Sequence, residues 1–231
     1  MRLWIRGAGG IYRTWQPGLF IWRGVGYVLR VLLATVFSSG WASGVSAYLA
    51  VLQLGVLGRF FDAESVPDAL TRTDVMVVAA VLYAIEFVTD KIPYVDNLWD
   101  AIHTVIRPTI GAVLGLLIAG DADTLGQAVA ATAGGLTALA SHLCKAAARL
   151  VINLSPEPVT NITASLGEDL SVGAVIALVV VAPWTAAAVA AVLLAVSLYV
   201  VWRVHRRIRQ AIARFRASRY RIATTGDGTD E

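Results

Sequence analysis

The sequence predicts an all-α polytopic membrane protein of about six transmembrane helices, with two inverted three-helix repeats and broken or short helices as the suggested arrangement. Three observations carry that prediction. First, 57% of the 231 residues are hydrophobic, only 15% are charged, and the mean hydropathy is +0.68. A soluble domain carries about 25% charged residues, so this composition excludes a secreted or cytosolic globular enzyme. Second, the apolar residues are gathered into long charge-free runs. Third, arginines crowd the two ends of the chain.

Residues 1–30 interleave Trp4, Tyr12, Trp15, Phe20, Trp22 and Tyr27 with Arg2, Arg6, Arg13, Arg23 and Arg30. That mixture is typical of a segment lying at a membrane interface. No apolar core followed by a small-residue cleavage site occurs there, so no removable signal peptide is expected. The transmembrane domain is expected over 31–203. Its first span falls in Val31–Gly58, which holds no charge and is interrupted by Ser38-Ser39-Gly40 and Ala42-Ser43-Gly44. Such small residues permit either close helix packing or a helix break. A second span is expected from about Asp74 to Asp90. A third, short one should start at Pro108, a favourable first helical residue, and end at Gly120.

The fourth span is expected from Thr124 to Asn153, the fifth from Ile162 to Ala182, and the sixth from Trp184 to Trp202. Leu170–Trp202 is uncharged over 33 residues, about 50 Å as one helix. That exceeds a hydrocarbon core of about 30 Å, so Pro183 should start a new helix. Residues 204–223 predict an amphipathic basic helix, with Ile208, Ile212 and Phe215 on one face. Its arginines suit anionic lipid headgroups. A basic flank is ordinary beside a membrane span, so we read it this way rather than as a nucleic-acid-binding segment. Residues 224–231 read as a disordered tail. Arginine before the first span and after the last places both termini in the cytoplasm by the positive-inside rule, which requires an even number of crossings.

An internal repeat is suggested by Ala42-Ser43-Gly44-Val45-Ser46-Ala47 and Ala133-Gly134-Gly135-Leu136-Thr137-Ala138, 91 residues apart; the same offset carries Pro67 onto Pro158. Repeats of three helices are inverted, and inverted repeats place a site near mid-membrane. The single cysteine, Cys144, lies in an apolar stretch and reads as a small core residue.

Ionisable residues interrupt the apolar pattern at defined spacings. Glu86 and Asp90 share one helix face. Asp96, Asp100, His103 and Arg107 form a single stripe if 95–107 is helical, and His142, Lys145, Arg149 and Asn153 form a second. The prolines Pro156 and Pro158 predict an extended loop, after which Glu168 and Asp169 fall inside the fifth span. Seven carboxylates, counting Glu157, stand against Lys91, Arg107, Lys145 and Arg149. The two histidines can adjust that balance near neutral pH. A charge at the bilayer centre costs at least about 2.5 kcal/mol, so these groups should face one another or a wet cavity.

Three readings of the cluster follow. As a transport site, Glu86, Asp90, Glu168 and Asp169 bind protons or cations while Arg107, Lys145 and Arg149 hold an anionic solute or lipid headgroup. As a membrane enzyme acting on a phosphorylated lipid, Asp96, Asp100 and His103 bind a divalent cation. As a structural device, ion pairs lock the helices of a non-catalytic protein. No nucleophile constellation or phosphate-binding loop strengthens the enzyme reading: Ser141 and His142 are adjacent and point apart on a helix. Gly134-Gly135 reads as a packing notch. The small-residue faces at 38–47 and 130–138 suit packing within one chain or between copies.

Residues 42–60 (ASGVSAYLAVLQLGVLGRF), 86–108 (EFVTDKIPYVDNLWDAIHTVIRP) and 140–161 (ASHLCKAAARLVINLSPEPVTN) resemble the bacterial membrane proteins catalogued as domain of unknown function 4126. The resemblance covers about 35–200 and leaves out both basic termini. It implies a multi-spanning domain of a bacterial inner membrane and supplies no catalytic residues, substrate or cofactor.

Overall fold

The computed structural model describes residues 3–7, 10–14, 17–92, 94–153 and 158–225, with side chains described over 31–92, 94–153 and 159–214. A short antiparallel hairpin, β1 (Leu3–Gly7) and β2 (Gly10–Thr14), pairs Leu3 with Thr14 and Gly7 with Gly10. Among the described residues eight helices follow: α1 (Pro17–Val45), α2 (Ala47–Phe60), α3 (Asp68–Thr71), α4 (Thr73–Thr89), α5 (Val95–Ala119), α6 (Thr124–Ile152), α7 (Pro158–Val181) and α8 (Pro183–Thr225). Four of them, α5 to α8, are long and apolar enough to cross a membrane, whereas Val31–Val45 of α1 and the whole of α2 are shorter apolar helices. These are the helices of a multi-pass membrane protein.

The charge-free run 31–58 is two helices. Ser46 adopts an extended conformation (φ −148°, ψ 98°) between α1 and α2. Backbone bonds from Ser46 N to Ala42 O (2.9 Å) and from Ala50 N to Ser46 O (3.1 Å) straddle the break. The small residues just before it serve packing. A Cβ on Gly40 would lie 2.7 Å from the Gly134 carbonyl oxygen, and one on Gly44 would overlap the Ser141 hydroxyl and the Ala138 carbonyl. Gly111 of α5 meets α6 in the same way, its Cβ position 2.7 Å from Gly134 O. Helices α1, α5 and α6 therefore touch backbone to backbone, a contact that dispersion alone makes favourable in lipid.

Two expected boundaries are corrected. The third span does not begin at Pro108: α5 starts at Val95 and runs through the proline. Asp96, Asp100, His103 and Arg107 are all buried, so the three turns before Pro108 are held by polar contacts that hydropathy does not register. A proline inside a membrane helix is tolerated when neighbours satisfy the freed backbone. The fifth helix begins at Pro158, a turn earlier than expected. Pro183 does open a new helix, with Ala182 as the only residue between α7 and α8. Residues 204–223 form no separate element but continue α8. Of the segments expected at the ends and in the 153–161 loop, 226–231, Pro156 and Glu157 lie outside the described residues, as do the side chains of 1–30, Pro158 and Phe215.

An apolar core lies where α1 and α2 meet α7 and α8, with Trp41, Leu54, Val172, Val175, Ile176 and Ala186 buried. By contrast Val77, Val78, Val81, Ile85 and Val88 of α4 are exposed, as suits a helix facing acyl chains. Polar side chains fill the opposite side of α1, between α4, α5, α6 and α7.

Candidate functional site

Ten of the twelve residues singled out from the sequence are buried: Glu86, Asp90, Asp96, Asp100, His103, Arg107, His142, Lys145, Arg149 and Asn153. The other two, Glu168 and Asp169, are half-buried on α7. The helical stripes explain the convergence. Three to four residues return a side chain to the same face, so α5 and α6 each deliver a column of polar groups into one seam.

The seam holds two ion-pair clusters, one around Arg107 and one around Lys145 and Arg149. Arg107 contacts Glu86 (2.8 Å) and Asp100 (3.1 Å). Lys145 contacts Asp90 (2.5 Å) and Glu168 (3.4 Å). Arg149 pairs with Glu168 (2.5 Å) and lies 3.9 Å from Asp90 and 3.8 Å from Asp96. It also donates to the Asp90 carbonyl (2.8 Å) and to Asn161 Oδ1 (2.6 Å). Asn153 donates to both oxygens of Asp96 (2.8 and 3.1 Å).

The helix break is part of this network. At the end of α1 the last carbonyls lose their next-turn partners and carry the negative end of the helix dipole. Buried cations meet them: Arg107 donates to Gly44 O (3.4 Å) and Lys145 to Val45 O (3.0 Å). At the start of α2 the Ser46 hydroxyl donates to Glu86 Oε2 (2.8 Å). The break thus presents carbonyls to cations and its helix N-terminus to a carboxylate.

The hydrogen bonds of the two histidines order their surroundings. Arg107 donates to His142 Nδ1 (2.8 Å), so the proton sits on Nε2, 3.1 Å from Thr104 Oγ1. That hydroxyl passes its own proton to Asp100 O (3.0 Å). His103 donates from Nδ1 to Trp99 O (2.8 Å), and its Nε2 shares a hydrogen bond with the Tyr48 hydroxyl (3.0 Å). Five carboxylates, Glu86, Asp90, Asp96, Asp100 and Glu168, face three fixed cations, Arg107, Lys145 and Arg149. When all are ionised the seam has two excess negative charges. Asp90 Oδ1 and Asp100 Oδ2 are buried without a hydrogen-bond partner, as is Asp169 Oδ2.

The residues expected to hold a metal do not gather around one point. Asp96 faces Asn153 and Arg149, Asp100 faces Arg107, and His103 faces Tyr48. Among the described residues no group of three or more His, Cys, Asp or Glu side chains is placed to hold a metal ion. Sequence reasoning missed Ser46, Tyr48, Thr104 and Asn161. All are uncharged, and Asn161 stood in the segment read as a loop. A weak signal was present, since Asn161 precedes Ser165 and Glu168 at helical spacing.

The match to known families agrees with the extent of this structure. The family model described as Domain of unknown function (DUF4126) matches residues 33–203. The chain belongs to the DUF4126 family. The DUF4126 region contains every residue of the network and ends within α8, before most of the arginines of that helix. No curated protein and no solved structure is significantly similar to the chain.

Proposed function

We propose that this DUF4126 protein is a membrane carrier whose buried network binds protons or small cations, exposing them alternately to the two sides. The excess of carboxylates over cations carries the reading. Two uncompensated negative charges in a buried seam cost several kcal/mol each, and bound protons or a cation relieve that cost. Asp90 and Asp100, which have unpartnered oxygens, are the binding groups. Glu168, 21% exposed at its side chain, connects the seam to its surroundings. Arg107, Lys145 and Arg149 act as fixed internal cations that hold the carboxylates in place.

Six crossings serve this mechanism, counting α1 with α2 as one broken span and α4 as another. The inverted repeat fits the helix boundaries: shifted by 91 residues, α4 falls within α7 and α5 within α8. The two segments related by that offset pack directly on each other through Gly44 and Ala138. A broken helix at the interface of inverted repeats is a known basis for alternating access. Both termini are then cytoplasmic, in a bacterial inner membrane, with the basic part of α8 near anionic headgroups.

Reconstituted Asp90→Asn and Glu168→Gln proteins test the reading. Both should remain folded and lose flux of protons or monovalent cations. Normal flux in both would remove the assignment. Loss of folding without any wild-type flux would favour the structural reading instead.

A further inference from the structure

A cavity of about 230 Å³ lies beside the seam, between α1, α6, α7 and α8. Lys145 and Glu168 form its polar end, and Trp41, Leu193, Val200 and Val201 line much of the rest. The α8 wall is half-buried to exposed, so the cavity opens toward the lipid-facing side of that helix.

The serine hydroxyls and the Glu168 carboxylate lining this cavity act as hydrogen-bond acceptors toward a guest. Ser141 gives its proton to Trp41 O (2.9 Å), Ser171 to Glu168 O (2.7 Å) and Ser197 to Leu193 O (2.8 Å). A serine whose proton is committed offers only lone pairs. Lys145 brings the one cationic donor, and its three protons are matched by Val45 O, Asp90 and Glu168. The Glu168 carboxylate receives Arg149 and Lys145 and retains acceptor capacity, because a carboxylate offers about four lone-pair sites. Its neighbouring seam has the excess of negative charge. A guest that brings donors and positive charge is matched to this end; an anion meets acceptors and repulsion.

We propose that the cavity binds an organic ammonium ion with a small apolar body, its nitrogen at Glu168 and the serine oxygens and its body against Trp41 and the α8 wall. This deepens the carrier reading by naming the class of cation, and rests on it only for the claim that the guest is moved.

Isothermal titration calorimetry of the purified protein in nanodiscs, with empty nanodiscs subtracted, tests the site. Phenethylamine is the probe and phenylacetate its anionic counterpart. Phenethylamine should bind saturably, and phenylacetate at least about tenfold more weakly, the scale of one hydrogen bond to a charged group. Ser197→Phe, and Val201→Phe as a second filling variant, should abolish binding with unchanged melting temperature; Glu168→Gln should weaken it by at least about tenfold. Equal binding of phenylacetate, wild-type binding in both filled variants, or no saturable amine binding in the millimolar range would overturn the proposal. Amine binding without flux in vesicles would leave this site and remove the carrier; proton flux without amine binding would do the reverse.

Discussion

Arg107 shows what a single residue contributes to this protein. It is fully buried, pairs with Glu86 and Asp100, donates to His142 and reaches the Gly44 carbonyl. A buried pair adds little net stability when compared with apolar replacements, yet removing one partner leaves the other charged and unpaired, at about 3–5 kcal/mol. Arg107→Met should therefore lower stability by about that amount, and Glu86→Leu with Arg107→Met should recover part of it, since Asp100 still lacks its cation. Thermal unfolding of the purified variants checks both; a double variant less stable than the single one would contradict the pairing. Arg107→Lys should rescue only partly. An ammonium is a point charge and cannot span two carboxylates, an imidazole and a carbonyl as the planar guanidinium does.

At the level of elements, the glycines and the break at Ser46 set the geometry. Gly44→Ala forces a methyl group into Ser141 and the α6 backbone and should destabilise strongly. Gly167→Ala on α7 meets nothing within 4 Å and should be neutral or stabilising by up to about 1 kcal/mol, the difference in helix propensity. Melting temperatures that move together in the two variants would argue against backbone contact between α1 and α6. The polar stripes on α5 and α6 were legible in the sequence because charges inside apolar runs are conspicuous and helical spacing aligns them. The start of α5 was not, because Asp96 and Asp100 look like loop residues until their partners on other helices are known. The small residues Ala42-Ser43-Gly44 permitted a break, but its position at Ser46 was not legible, because that backbone is supported by Glu86, Arg107 and Lys145, residues distant in sequence. The similar segments Ala42–Ala47 and Ala133–Ala138 pack together in the fold through Gly44 and Ala138.

For the whole molecule, the arrangement of charge fixes what can be tested. Helix α8 has 43 residues, about 65 Å in length, twice the roughly 30 Å hydrocarbon core, so its arginine-bearing end extends well beyond the membrane. With six crossings, Glu64 and Asp121 face one side, and Ile92 faces the other together with both termini. In a Cys144→Ser background, cysteines at 64 and 121 should react with an impermeant maleimide from the outer face, and one at 92 only after permeabilisation. Labelling of 64 and 92 from the same face would exclude six crossings. Proton flux reports on the carboxylate excess of the seam. Vesicles containing the wild-type protein, with a pH-sensitive dye inside, should dissipate an imposed pH gradient faster than empty vesicles. Asp90→Asn, incorporated equally and with a wild-type melting temperature, should not. Equal rates for the two proteins, or a wild-type rate no greater than that of empty vesicles, would contradict the carrier reading.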